Sequence, residues 1–274
     1  MSQYIHGTHE EEHARLGLLN AMLNRKSLAA VAPRPGDRIL DVGSGAGQFT
    51  HAMAEAAGPA GFTLGVERSE EQLARARALM PPLAEFRQGD IAAAPMPLRD
   101  EEWGSFDIVH TRFVLEHLAD PLAAVRQMVR AAKPSAGRIV LEDDDHAILR
   151  VEPEPPGFPA LWTAYQRAFD RLGNDPSVGR RLVTLLHEAG ARPTRAMLLS
   201  WSGCAGDEEF SALTRNLIEV IGTARATIVS QGLLSAPRLD AAIAALWDWS
   251  GEPDAVLWYA ISCAEGLAPS LAKR

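Results

Sequence analysis

Cysteine is almost missing from this sequence: only Cys204 and Cys263 occur, far apart and without a C-x-x-C pair. That excludes a disulfide framework and removes the usual signature of a structural zinc site. Long apolar runs are missing as well, since no segment approaches the roughly 18 unbroken apolar residues of a membrane span. The opening residues, Met1-Ser2-Gln3-Tyr4-Ile5-His6, are polar and lack the apolar core of a signal peptide, so a cytoplasmic protein is expected. Clustered basic charge is absent too. The net charge is −8 and spread along the chain, whereas polynucleotide binders draw most of their affinity from neutralising phosphates. Neither a nucleic-acid partner nor a membrane partner is expected, and monomer and homodimer both fit.

What is present is apolar content, 47% of 274 residues, enough to bury a substantial core. One stretch stands out: Ile39-Leu40-Asp41-Val42-Gly43-Ser44-Gly45-Ala46-Gly47-Gln48-Phe49-Thr50. An apolar run ends in an acid, breaks into three glycines at alternate positions, and continues as an alanine-rich amphipathic stretch. That pattern predicts a buried strand, a tight turn that brings backbone close to a ligand, and a helix N-terminus.

Apolar runs and helical stretches alternate around it. Thr8 and Glu11 form a capping box for a helix reaching about Val31. Strands are expected at 38–42, 62–67, 84–88, 106–110 and 138–142, with helices at 46–57, 69–79 and 120–132 between them. Such alternation predicts parallel βαβ units with helices on both sheet faces. The pattern then changes. Glu152 to Pro159 carries four prolines and resists regular structure. Helices are expected near 160–172 and 178–189, a sixth strand at 197–201, a long helix whose apolar face runs from Phe210 to Ile228, a shorter one at 237–248, and a last strand at 255–261. The insertion between the last two strands is unusually long for a plain connection.

A glycine turn alone also fits nicotinamide-dinucleotide binding. Three features discriminate: the spacing is G-x-G-x-G directly after Asp41, Glu67 ends the second strand, and Gly89-Asp90-Ile91 ends the third. An acid at Glu67 can accept from both ribose hydroxyls, and Asp90 can accept from an adenine amino group.

These motifs, with Phe106-Asp107-Ile108-Val109 and the Lys133-Pro134-Ser135-Ala136-Gly137 turn, resemble the class I S-adenosylmethionine-dependent methyltransferases, most closely the small-molecule branch. The resemblance covers roughly 36–143. It implies an α/β fold with a seven-stranded, mostly parallel sheet in the order 3-2-1-4-5-7-6, the last strand antiparallel. The implied domains are an N-terminal lid segment and helix (1–35), a Rossmann-like core (36–149), a helical cap that includes the sixth strand (150–254), and a final strand with tail (255–274). It implies S-adenosyl-L-methionine as cofactor, bound by Asp41, Gly43, Ser44, Gly45, Gly47, Glu67, Arg68, Gln72, Asp90, Ile91, His110, Thr111 and Arg112, with Tyr4 and His6 folding over it.

The sulfonium methyl of that cofactor is already activated, so the protein must chiefly align an acceptor and keep water out. Candidates for handling an acceptor proton are His110, Asp145 and His146. The run Glu142-Asp143-Asp144-Asp145-His146 sits just past the fifth strand, at the sheet edge where open α/β folds bind ligands. It can contact the acceptor, hold a divalent ion, or be a solvated loop; acceptor contact is the expectation, and no metal is assigned. Arg112, Asp143, Phe158, Trp162, Tyr165 and Trp201 are the expected acceptor pocket. The resulting expectation is methyl transfer to an O or N atom of a small metabolite. A cofactor-binding sensor without catalysis and an NAD(P)-dependent reductase are the alternatives.

Overall fold

The computed structural model describes residues 22–93 and 95–270. Tyr4, His6 and the capping box at Thr8 and Glu11 lie outside them. Residues 22–31 are helical (α1). The strands are β1 (Arg38–Val42), β2 (Phe62–Glu67), β3 (Glu85–Gln88), β4 (Ile108–Arg112), β5 (Arg138–Asp144), β6 (Arg150–Glu152), β7 (Arg192–Cys204) and β8 (Val256–Leu267). The helices are α2 (Gln48–Ala57), α3 (Glu70–Arg77), α4 (Pro121–Ala131), α5 (Phe158–Arg171), α6 (Leu182–Glu188), α7 (Glu208–Thr223), α8 (Arg225–Ser230) and α9 (Ala236–Trp249).

The sheet runs β3-β2-β1-β4-β5-β8-β6, and β7 also pairs with β8. Pairs among β1 to β5 are parallel, and β6 is antiparallel to β8 through Arg150↔Trp258 and Val151↔Leu257. The expected order of the first five strands and the antiparallel last strand are present. The sheet has eight strands rather than seven, because the short β6 pairs with the start of β8. β1, β2, β4 and β5 are buried along most of their length, as a parallel sheet covered on both faces requires, and β4 and β5 carry polar and charged residues into that interior.

Local chemistry sets the boundaries of the flanking helices. Ser69 caps α3 by accepting from the Gln72 amide, and Asp120 caps α4 by accepting from the Ala123 amide. Pro121 follows at the first turn of α4, where its missing N–H costs nothing. From α4, Ala124, Val125, Met128 and Val129 enter the core with Leu40, Leu64, Val109 and Leu141.

Two placements differ from the expected ones and both matter for the site. β4 extends to Arg112, so His110, Thr111 and Arg112 lie in the strand and not after it. Their register against both neighbours holds them there, with His110 beside Asp41 and Arg112 beside Glu142. β5 likewise runs to Asp144, which puts the first three acids of the 142–146 run in a strand instead of a loop. The expected long apolar helix is two helices, α7 and α8, which meet at Ala224.

The described chain forms two compact units. One contains residues 24–144, 178–199 and 262–270, hence β1 to β5, α1 to α4, α6 and the second half of β8. The other contains 22–23, 145–177 and 200–261, hence the first residues of α1, β6, α5, α7 to α9, the end of β7 and the first half of β8. Residues 178–199, which the sequence groups with the cap, fall in the first unit. Among the described residues no helix is long and apolar enough to cross a membrane.

Candidate functional site

The glycine turn lies at the carboxyl end of β1, between β2 on one side and β4 on the other, where the order of the sheet reverses. Open α/β sheets bind ligands at that point. Gly43, Gly45 and Gly47 all have positive φ. Gly47 is fixed twice over: its φ is +79°, and a Cβ there would stand 2.8 Å from both the Ala76 Cβ and the Phe86 ring. A Cβ on Gly43 would collide with Val114. At Gly45 the same test meets no atom of the described residues within 4 Å, which leaves room for a ligand. α2 starts at once, and no side chain caps its first-turn amides.

Glu67 closes one side of this cradle. Its Oε2 accepts from the Gly45 amide at 3.0 Å and its Oε1 from the Ser69 amide at 2.8 Å. Each oxygen keeps further lone-pair capacity. Among the described residues the buried Ser44 Oγ has no hydrogen-bond partner. Asp90 accepts from the Ala92 amide at 2.9 Å and is half-buried. Ile91 is in the core cluster, and its carbonyl accepts from Gln127. Arg68 is exposed, and Gln72 is half-buried on α3.

Behind the turn the strands gather four charged groups. His110 Nδ1 lies 2.8 Å from Asp41 Oδ1, and its Nε2 lies 3.9 Å from Glu142 Oε2, an ion-pair distance and not a hydrogen bond. Thr50 of α2 donates to the other Asp41 oxygen at 2.5 Å. Ser27 of α1 donates to Glu142 at 2.6 Å. Arg112 donates to Ser27 Oγ at 3.2 Å and to Asn24 Oδ1 at 2.7 Å, and its guanidinium lies 4.5 Å from the centre of the Phe49 ring. Thr111 points the other way and donates to the Val42 carbonyl.

Asp41, His110 and Glu142 are all buried. Burial alone would push the imidazole down, but the two carboxylates outweigh it and raise His110 to about 9. For Glu142, burial pushes upward, and His110, Ser27 and Arg112 outweigh it to hold the carboxyl below its ordinary range. Burial draws the Arg112 guanidinium down, against the pull of Glu142 and Asp41. Two carboxylates, an imidazolium and a guanidinium thus balance. With its value raised to about 9 the ring holds its proton at neutral pH, and an imidazolium has no lone pair to offer.

Asp143, expected in the acceptor pocket, bonds to backbone amides on β5 and on the turn after β4. It is fully buried and accepts from the amides of Val114, Leu115 and Asp144 at 3.2, 2.8 and 3.0 Å. Burial and Asp144 push its carboxyl up. Those bonds fix the turn after β4, where Phe113 takes a left-handed φ of +56° that a bulky residue rarely adopts.

The second unit places other candidates together. His146 is buried, with ring centres of Phe169, Trp162 and Tyr165 at 4.8, 5.5 and 5.6 Å. Trp162 stacks on Phe158 and Tyr165, and its indole N–H donates to the His146 carbonyl at 2.8 Å. Asp145 caps the short turn after it by accepting from the Ala147 amide. Trp201 sits apart from this stack in sequence and packs edge-on against Tyr259. The sequence reading missed Asn24 and Ser27; their place on a helix face pointing at two strand charges has no motif.

A family model described as a methyltransferase domain matches residues 33–167. A Streptomyces fradiae protein, described as an uncharacterized 37.1 kDa protein in transposon TN4556, is 35% identical over 173 residues, 61% of this chain and 47% of that one. Demethylmenaquinone methyltransferase of Lactococcus lactis is 32% identical over 130 residues, 46% of this chain and 49% of that one. The chain therefore spans about half the length of these curated relatives. Among solved structures, a phosphoethanolamine N-methyltransferase of Haemonchus contortus, in complex with S-adenosylhomocysteine, superposes with a TM-score of 0.51 at 16% identity. That match covers 94% of this chain and 53% of that one. At such identity the likeness establishes the fold.

Proposed function

Residues 33–167 belong to the methyltransferase-domain family, and from that premise we propose that the chain is a class I S-adenosylmethionine-dependent methyltransferase. It transfers a methyl group to an O or N atom of a small metabolite. The observation that carries this reading is the Glu67 carboxylate, bonded to the open-sided Gly45 at the switch point of the sheet. The residues fit the cofactor: the turn leaves open space beside Gly45, and among the described residues the buried Ser44 hydroxyl has no partner.

In this reading Asp41, Gly43, Ser44, Gly45, Gly47 and Thr111 line the amino-acid end. Glu67 takes the ribose hydroxyls, and Asp90 with Ile91, Arg68 and Gln72 borders the adenine. Bound there, the cofactor supplies an activated methyl on a sulfonium centre. The protein's share is orientation and exclusion of water. His110 moves no proton; it holds Asp41, which in turn holds the first turn of α2 through Thr50.

Calorimetric titration with S-adenosylhomocysteine tests the reading. Wild type binds, and Glu67→Ala loses about 1.5–3 kcal/mol, as expected for hydrogen bonds to a charged acceptor. Glu67→Gln, which keeps an acceptor for one backbone amide, separates ligand contact from turn geometry. Equal affinity in all three proteins would remove Glu67 from the site.

A further inference from the structure

Glu142 belongs to the acidic run that the sequence places at the acceptor, yet it is buried on the inner side of β5 and faces other protein groups. We propose that Glu142 is a positioning residue for cofactor binding, acting through His110 and Asp41 on the glycine turn. The inference rests on the cofactor reading given above.

The chain of contacts is continuous. Ser27 Oγ donates to Glu142 Oε2, which stands 3.9 Å from His110 Nε2. His110 Nδ1 then bonds Asp41, and Asp41 bonds Thr50 in the first turn of α2. Phe49, the neighbour of Thr50, lies 5.0 Å from the His110 ring, so the imidazole is packed against the same helical turn that it steadies through Asp41. Among the described residues neither Glu142 Oε1 nor His110 Nε2 has a hydrogen-bond partner, so none of these takes over if the charge pairing fails.

The groups that set the imidazole's charge come from four elements. Asp41 lies on β1, Arg112 on β4 with His110 itself, and Glu142 on β5; α1 adds the neutral Asn24 and Ser27. On β8, the buried Cys263 thiol is pushed up by its own burial and by the Glu142 charge, to about 12, and stays neutral. With both carboxylates present, His110 holds its proton well above neutrality. Removing the Glu142 charge leaves Asp41 alone to oppose burial, and the imidazole loses its proton nearer neutrality. The turn is then steadied at acid pH and loosened at alkaline pH.

The experiment compares S-adenosylhomocysteine affinity at about pH 6 and about pH 7.5, both more than a unit below the value of about 9 at which wild-type His110 titrates. Wild type is expected to bind equally at both. Glu142→Gln, which keeps the shape and the bond from Ser27, is expected to bind about fivefold or more weakly at the higher pH. His110→Gln is expected to bind more weakly at both, without that pH dependence. Circular dichroism at each pH confirms that the variants are folded. A Glu142→Gln profile as flat as that of wild type would overturn the proposal. Absence of binding by wild type at either pH would instead remove the cofactor reading on which it rests.

Discussion

Around His110 the strands collect charge. Asp41, Glu142 and Arg112 come from three adjacent strands, and two side chains of α1 complete the set. Around His146 the helical unit collects rings, with Phe169, Trp162 and Tyr165 within 6 Å centre to centre. The same residue type is buried in both places by different physics. Adjacent parallel strands in register set ionisable side chains side by side on one face, so opposite charges can neutralise one another. One face of a helix presents rings at positions 158, 162, 165 and 169, which gain from area and from tilted packing without fixed partners. The charged cluster is therefore intolerant of losing a member, while the ring cluster should yield gradually.

Breaking the charged cluster should produce the largest effect. Asp41→Ala removes one carboxylate and leaves Thr50 and the imidazolium unanswered. About 3–5 kcal/mol of stability should be lost, the usual cost of an orphaned buried charge, as read by urea unfolding. A loss under about 1 kcal/mol would mean that the cluster is not held as an ion network.

Titration should come next. His110 has a folded value of about 9 against an ordinary 6.5. Its contribution is therefore full below about pH 6.5 and is lost as pH rises through about 9, with a magnitude on the order of 3 kcal/mol. Unfolding midpoints followed across that window should fall in wild type and lose this part of the slope in His110→Gln. A parallel profile in the variant would assign the slope to other groups.

The smallest change should come from the ring cluster. Trp162→Phe retains an aromatic face and loses only the N–H bond to the His146 carbonyl. About 1 kcal/mol is expected, with S-adenosylhomocysteine affinity unchanged. A loss as large as that of Asp41→Ala would erase the contrast between the two regions.

The sheet was legible in the sequence where local pattern and tertiary demand coincide. β1 and β2 are short apolar runs bounded by turn chemistry, and they lie where the pattern puts them. β6 was not legible. Three residues beside Pro153 carry no periodicity, and they pair only because β8 presents a partner for them. β7 was read too short because residues 192–198 are mostly exposed and alternate weakly, with Pro193 near the start. In the site, the glycine turn announces itself because only glycine fits its backbone. The partnership of His110 with Glu142 does not, since it depends on the register of β4 against β5, and a shift of one residue would send the two side chains to opposite faces. Asp143 and Glu142 look alike in sequence, and only the pleat decides which one faces the β4 turn and which one faces His110.

β8 has a consequence for the order in which the molecule can be made. Its first half, 256–261, belongs to the helical unit and its second half, 262–267, to the unit of β1 to β5. The Ala268 amide donates to the carbonyl of Gly137, more than a hundred residues upstream, and Glu265 forms a two-pronged ion pair with Arg138. During synthesis neither unit can be completed until β8 has left the ribosome. Contacts of such long sequence separation form slowly, and until they form the free edge of β5 stays open to other strands. Truncation before β8 should therefore leave both units incomplete, although every residue of the glycine turn is present.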